Sequence, residues 1–192
     1  MCFHFKQSKT EKDFKAKGLK GRPVNGVYNG FSHPNINVVT EENPKDLQHF
    51  MWGLIPSWAK DDNIKKYTLN ARHETLKTKP SFKNAKRCLI FADGFYEWKW
   101  LDKQGKKKQK YLIELPNSEL FSFAGLYDQW IDKQTGEIIN SCSIITTEAK
   151  GIMREVHNSK MRMPLVIEND QMEDWLEKRK TNLFFNFKTT EV

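Results

Sequence analysis

The stretch that decides the fold is "CLIFADGFYEW" (residues 88–98). A run of apolar, strand-forming residues reaches Asp93-Gly94 and continues as a second run in which Phe95 and Glu97 fall on one side. It reads as two strand pieces joined at Asp93-Gly94. The same pattern recurs outward from it: "YLIEL" (111–115), "LFSFAGLYDQW" (120–130) and "EIINSCSIITT" (137–147) follow, separated by the turn segments "PNSE" and "DKQTG". Upstream, "NINVVT" (35–40) and residues 50–55 are also strand-like. Short strands at turn spacing argue an antiparallel barrel or sandwich-like core. Helices are expected to be few and short: 10–17 with a Thr10 cap and Asp13 three later, one or two turns over 79–86, 147–156, and 168–179 behind an Asn cap. The final "TNLFFNFKTTEV" is apolar enough to pack back on the body. The expected class is α+β: one domain over 1–192, with a mostly antiparallel β-barrel-like core and short peripheral helices.

Composition narrows the function. The chain has 192 residues, 38% of them hydrophobic, with 13 Phe and 6 Trp, so a substantial core is available. Mean hydropathy is −0.73, and no apolar run approaches the roughly 20 residues that cross a membrane. The N-terminus lacks the form of a secretory signal. These features predict a cytoplasmic protein, nucleoid-associated if bacterial, without a membrane partner. The three cysteines contain no C-x-x-C pair, so a zinc site or disulfide framework is not expected; Cys88 and Cys142 read as small buried hydrophobes. The net charge of +8 suggests a polyanionic partner. The run "KQGKKKQK" (103–110) reads as a solvated hairpin tip.

Cys2 stands directly behind Met1. Removal of Met1 would leave an α-amine and a thiol on one residue. An α-amine titrates near 7.7–8.0, against about 10.4 for lysine, so this amine would be the one ready to attack a carbonyl. The thiol could then close a five-membered thiazolidine on an aldehyde, or attack an amide as in N-terminal-nucleophile hydrolases. Glu97, among aromatic rings, would be desolvated and pushed toward acid–base duty. His157 follows a helix, and "MWGLIPSW" (51–58) carries Trp52 and Trp58. Taken singly, each has a plain structural reading: a frayed thiol, a strand carboxylate paired with lysine, a structural imidazole, two core tryptophans.

Taken in order, Cys2, "WGLIPSW", "NARHET" (70–75), "ADGFYEW" (92–98) and a histidine upstream of "RMP" (162–164) resemble the motif set of the SRAP family. These are SOS response-associated peptidases, also called abasic-site processing proteins. The resemblance covers residues 2 to 164. It implies a mixed α/β domain with a barrel-like core and a basic groove for single-stranded DNA, including single-strand/double-strand junctions. The mature N-terminal cysteine would crosslink to an abasic site. Carried over, Cys2 is the nucleophile, Asn70 positions its amine or the sugar, Glu97 shuttles protons and His157 assists sugar-ring opening. His4, Trp52, Trp58, Arg72, Arg87 and Arg162 would contact DNA, with the tryptophans shaping the strand's path and wedging a duplex end. No cofactor or metal is implied, and a monomer is expected. Relatives commonly begin Cys-Gly-Arg; here Phe3 and His4 follow Cys2, and His4 is a weaker substitute for that arginine. His157 also lies five positions before Arg162, farther than usual, and Phe91 stands where proline is common. A thiol peptidase acting on other proteins and a non-catalytic nucleic-acid-binding barrel are the alternatives.

Overall fold

The computed structural model describes residues 1–182, 184 and 186–192. In chain order the strands are β1 (His4–Gln7), β2 (Gly26–Asn29), β3 (Asn35–Thr40), β4 (Gln48–Trp52), β5 (Asn70–Arg72), β6 (Lys86–Ala92), β7 (Gly94–Trp100), β8 (Lys108–Glu114), β9 (Phe121–Ile131), β10 (Ile138–Glu148), β11 (Arg162–Pro164), β12 (Val166–Ile167) and β13 (Lys188–Glu191). The α-helices are α1 (Glu11–Ala16), α2 (Met153–Val156) and α3 (Met172–Leu176).

Five strands close a ring in the order β10-β4-β3-β6-β9, because β9 pairs back onto β10. A ring of five cannot alternate direction all the way round, so one neighbouring pair must run parallel. That pair is β4–β10, where Ser141 faces Met51 and Cys142 faces Trp52. A second, five-stranded antiparallel sheet, β13-β8-β7-β1-β2, packs against the ring. Their shared core holds Phe5, Phe95 and Ile113 from the sheet and Trp52, Cys88, Phe123 and Cys142 from the ring. The fold is thus α+β, with a mostly antiparallel barrel core and short peripheral helices.

The two pieces of "CLIFADGFYEW" are β6 and β7, and they belong to different sheets. Asp93 is the buried hinge between them. Its carboxylate accepts from the Ser8 amide at 3.0 Å and the Ser8 hydroxyl at 2.5 Å. Gly94 then opens β7, and a Cβ there would sit 2.6 Å from Lys6 Cε and 3.0 Å from Leu112 Cδ1. A side chain there would displace the Lys6 side chain and crowd Leu112.

Several boundaries differ from expectation. β4 stops at Trp52 because Gly53 turns the chain at φ 126°. The segment 147–156 is not one helix. β10 runs on through Glu148, with β-branched Thr146 and Thr147 paired to Pro164 and Met163, and only α2 is helical. Residues 80–84 form hydrogen-bonded turns rather than a helix. In 168–179 a 3₁₀ turn over Asn169–Gln171 precedes α3, whose cap residue is Gln171. α1 carries the expected Thr10–Asp13 capping box. In the C-terminal stretch Phe187 is buried and β13 adds to β8; positions 183 and 185 lie outside the described residues. Among the described residues no helix is long and apolar enough to cross a membrane.

Candidate active site at the chain terminus

β1 pairs with β7, placing His4 opposite Tyr96 and Phe5 opposite Phe95. That register draws the residues before β1 toward Glu97. β5 lies beside β10, with Asn70 opposite Ile144, and the Asn70 amide donates to the Cys2 carbonyl at 2.9 Å. The Cys2 thiol is fully buried in the shared core. The N-terminal amine, here that of Met1, lies 3.5 Å from Glu97 Oε1 and 3.1 and 3.3 Å from the two ring nitrogens of His157. His157 Nε2 is 3.8 Å from Glu97 Oε2.

The longer spacing between His157 and Arg162 is absorbed by a turn. The Met161 amide donates to the His157 carbonyl at 2.9 Å, with Met161 at φ 50°. The turn returns His157 Nδ1 to within 2.6 Å of the Arg162 carbonyl. A carbonyl only accepts, so Nδ1 carries the proton and Nε2 keeps its lone pair on the side of the amine and Glu97. Asn158 anchors this turn to β7: its amide donates to the Trp100 carbonyl and accepts from the Trp100 amide, both at 2.9 Å.

Burial sets the charges. It pushes the Glu97 carboxyl up to about 7, against the opposing pull of the amine. It lowers the amine below its usual 8.0, with Glu97 resisting. It holds His157 down at about 4, assisted by the amine, and raises the Cys2 thiol well above its ordinary range, with the Glu97 charge adding to the effect. Near neutral pH the cluster therefore offers an amine that burial makes easier to deprotonate, a neutral imidazole and a carboxyl near half-protonation. Asn70 Oδ1 is a buried acceptor without a hydrogen-bond donor among the described residues, whereas Glu97 Oε1 faces the amine at 3.5 Å.

Cys2, Asn70, Glu97 and His157 are thus brought together. Of the residues expected to contact DNA, three are engaged inside the protein. Trp52 is fully buried and donates its indole N–H to the Leu69 carbonyl at 2.9 Å; it is a core residue and cannot wedge a duplex. Arg87 lies 4.2 Å over the Trp175 ring and donates to the Trp175 carbonyl at 2.9 Å, pinning α3 to β6. Arg162 is buried and grips Glu74 through two nitrogens at 2.8 and 3.0 Å, while also donating to the Thr146 carbonyl at 2.6 Å. It is a salt-bridge arm whose guanidinium is already committed to Glu74 and Thr146. Arg72 and Trp58 remain exposed, Trp58 at 55%. His4 is half-buried, packed edge-on to Trp98 at 5.1 Å.

Sequence reasoning gave Glu74 no role, although it lies inside "NARHET". Its carboxyl is held down near 2 by the Arg162 guanidinium. A carboxylate two residues after an exposed arginine carries no signal by itself; the partner is 88 residues away.

The fold is a barrel that holds its N-terminal amine between a carboxylate and an imidazole. The chain belongs to the SOS response associated peptidase (SRAP) family, whose description it matches over residues 1–186. It is 40% identical over 165 residues to the abasic site processing protein YoqW of Bacillus subtilis, covering 80% of this chain and 71% of that one. It is 31% identical over 172 residues to the abasic site processing protein HMCES of Gallus gallus, covering 76% of this chain and 49% of that one. A crystal structure of a Bacteroides thetaiotaomicron protein superposes with a TM-score of 0.89 at 31% identity, covering all of this chain and 92% of the other.

Proposed function

We propose that this protein processes abasic sites in single-stranded DNA by trapping them covalently on Cys2 after Met1 is removed. The observation that supports the reading is the Met1–Cys2 junction seated in the cluster, with the Met1 amine between Glu97 and His157 and the Cys2 carbonyl fixed by Asn70. Relatives named abasic site processing proteins supply the substrate class.

The chemistry balances as follows. The Cys2 sulfur adds to the Met1 carbonyl carbon through a five-membered ring, its proton passing to the departing amine. Water then cleaves the thioester, releasing methionine and leaving Cys2 with a free amine and thiol. The ring-opened abasic sugar presents an aldehyde. The amine adds to it, and the carbinolamine loses water to an imine, with protonated Glu97 donating to the leaving hydroxyl. The thiol adds across the imine, its proton moving to nitrogen, and the thiazolidine closes. His157 Nε2 takes up and returns the sugar hydroxyl proton during ring opening. The unpartnered Asn70 Oδ1 is an acceptor for an incoming sugar hydroxyl.

Single-stranded oligonucleotides containing an abasic site, incubated with processed protein and run on a denaturing gel, test the reading. A covalent band is expected, lost in Cys2→Ala and slowed at least about a hundredfold in Glu97→Gln, the usual scale of a lost general acid. Mass spectrometry of the same sample reports whether Met1 is gone. A band of undiminished yield from Cys2→Ala overturns the proposal.

A further inference from the structure

With Arg87 and Arg162 occupied by internal partners, Arg72 is the one arginine of the expected set left exposed, and further cations for DNA are needed. The five-stranded sheet supplies them. β7 turns Phe95 and Glu97 inward, so Tyr96, Trp98 and Trp100 fall on the opposite face. Directly opposed residues of an antiparallel pair share a face. Trp98 is opposite Lys110 and Trp100 opposite Lys108 on β8, and Tyr96 is opposite His4 on β1. The contacts agree. Lys110 Nζ stands 4.2 Å over Tyr96 and 5.8 Å over Trp98, Lys108 Nζ stands 5.5 Å over Trp100, and His4 packs on Trp98.

Charge on this face is one-sided. Its register positions carry Lys6, Lys108, Lys110 and, on β13, Lys188. The single carboxylate among them, Glu114, is held by Lys6 at 2.8 Å. Lys108, Lys110 and Lys188 form no ion pair among the described residues. His4 Nδ1 is likewise without a partner. Alternate residues of a strand are about 7 Å apart, far enough for Tyr96 and Trp98 each to take its own base, while Gly105 already packs against the Trp100 ring. Aromatic rings interleaved with unpaired lysines match the chemistry of single-stranded nucleic acid: bases stack on the rings and phosphates meet the ammoniums. An acidic polypeptide would satisfy the lysines and leave the rings unused. The face is also continuous with the chain terminus, since Phe3 stacks at 4.9 Å on Phe31, which is 61% exposed and within 6.5 Å of His4.

We infer that the outer face of β7 and β8 is a base-stacking track for the single-stranded DNA leading away from the trapped nucleotide. This rests on the reading that the substrate is single-stranded DNA, and it adds a second, non-covalent surface on the far side of the strand that carries Glu97. The track holds the flanking strand while the chemistry proceeds at the terminus.

Fluorescence anisotropy with an intact long oligothymidylate, at several salt concentrations, tests it on the full chain. Lys108→Gln with Lys110→Gln is expected to weaken binding about tenfold and to lower the slope of log K against log salt by roughly 1.4, two phosphate contacts' worth. Trp98→Leu is expected to weaken binding about five- to hundredfold and to abolish part of the tryptophan quenching seen on binding. Crosslinking of 2-deoxyribose 5-phosphate, an aldehyde sugar with no flanking nucleotides to hold, stays at the parent rate in the lysine variant. Unchanged affinity and salt slope in that variant overturn the inference, as does polyglutamate competing as well as oligothymidylate. If the parent protein forms no crosslink with any abasic oligonucleotide, the proposed function falls while the anisotropy still decides the track.

Discussion

Glu97 and His157 are perturbed in opposite directions by the same burial. Glu97 has an ordinary value of 4.5 and titrates near 7 in the fold. Between those pH values the folded chain holds a proton that the unfolded chain has released, so stability falls as pH rises. His157 has an ordinary value of 6.5 and is held near 4. Between 4 and 6.5 the unfolded chain holds the extra proton, so stability rises with pH. Across the shared window of 4.5 to 6.5 the two slopes oppose each other, and the parent protein's denaturant midpoint should be nearly flat there. Glu97→Gln unmasks the histidine: stability should climb by roughly 3 kcal/mol from pH 4 to 6.5. His157→Gln unmasks the carboxyl, and stability should drop by a similar amount from pH 4.5 to 7. Urea titrations at pH steps read both. A flat profile in either variant would show that its remaining group is not perturbed.

At the scale of elements, the connection between β4 and β5 separates two tryptophans that look alike in "MWGLIPSW". Trp52 ends β4 inside the barrel, and its indole satisfies the Leu69 carbonyl one residue before Asn70. Trp58 lies out on the loop. Trp52→Phe removes one of two donors to the Leu69 carbonyl, which keeps the Ile144 amide at 3.1 Å, and should cost about 0.5–1.5 kcal/mol by urea unfolding for the lost hydrogen bond, with oligonucleotide affinity unchanged. Trp58→Ala should leave stability within about 0.5 kcal/mol and weaken single-stranded DNA by about 1–3 kcal/mol, the scale of one stacked base. The strands around these residues were legible because alternation and turn chemistry are local signals, and Cys2, Asn70, Glu97 and His157 because their motifs are ordered along the chain. The destination of each piece was not. Nothing local says that β6 enters the ring while β7 leaves it, that β10 outruns 147, or that Arg162 is spent on Glu74, because those outcomes are set by partners dozens of residues away.

At the scale of the molecule, the odd ring of strands makes the parallel β4–β10 junction unavoidable, and it is short, with only two register pairs. Just past it, the chain leaving Gly53 has no strand to pair with. The Ile55 amide instead donates to the Ser141 hydroxyl at 2.7 Å, and both residues are fully buried. One side chain on β10 thus extends the closure beyond the last backbone pair. Ser143, two residues on and on the same side of β10, is equally buried, but its hydroxyl has no partner among the described residues. The two serines should respond to the same substitution with different signs. Ser141→Ala orphans a buried N–H and should destabilise by about 1–3 kcal/mol. Ser143→Ala removes an unsatisfied hydroxyl and should be neutral or stabilising by up to about 1 kcal/mol. Urea unfolding compares the pair, and hydrogen exchange locates the effect. In Ser141→Ala the amide of Ile55 should exchange faster, while amides between β9 and β10 keep their protection, because their seven register pairs do not depend on that hydroxyl. Equal losses from both substitutions would show that β10 is held by packing alone and that the hydroxyl takes no part in closing the ring.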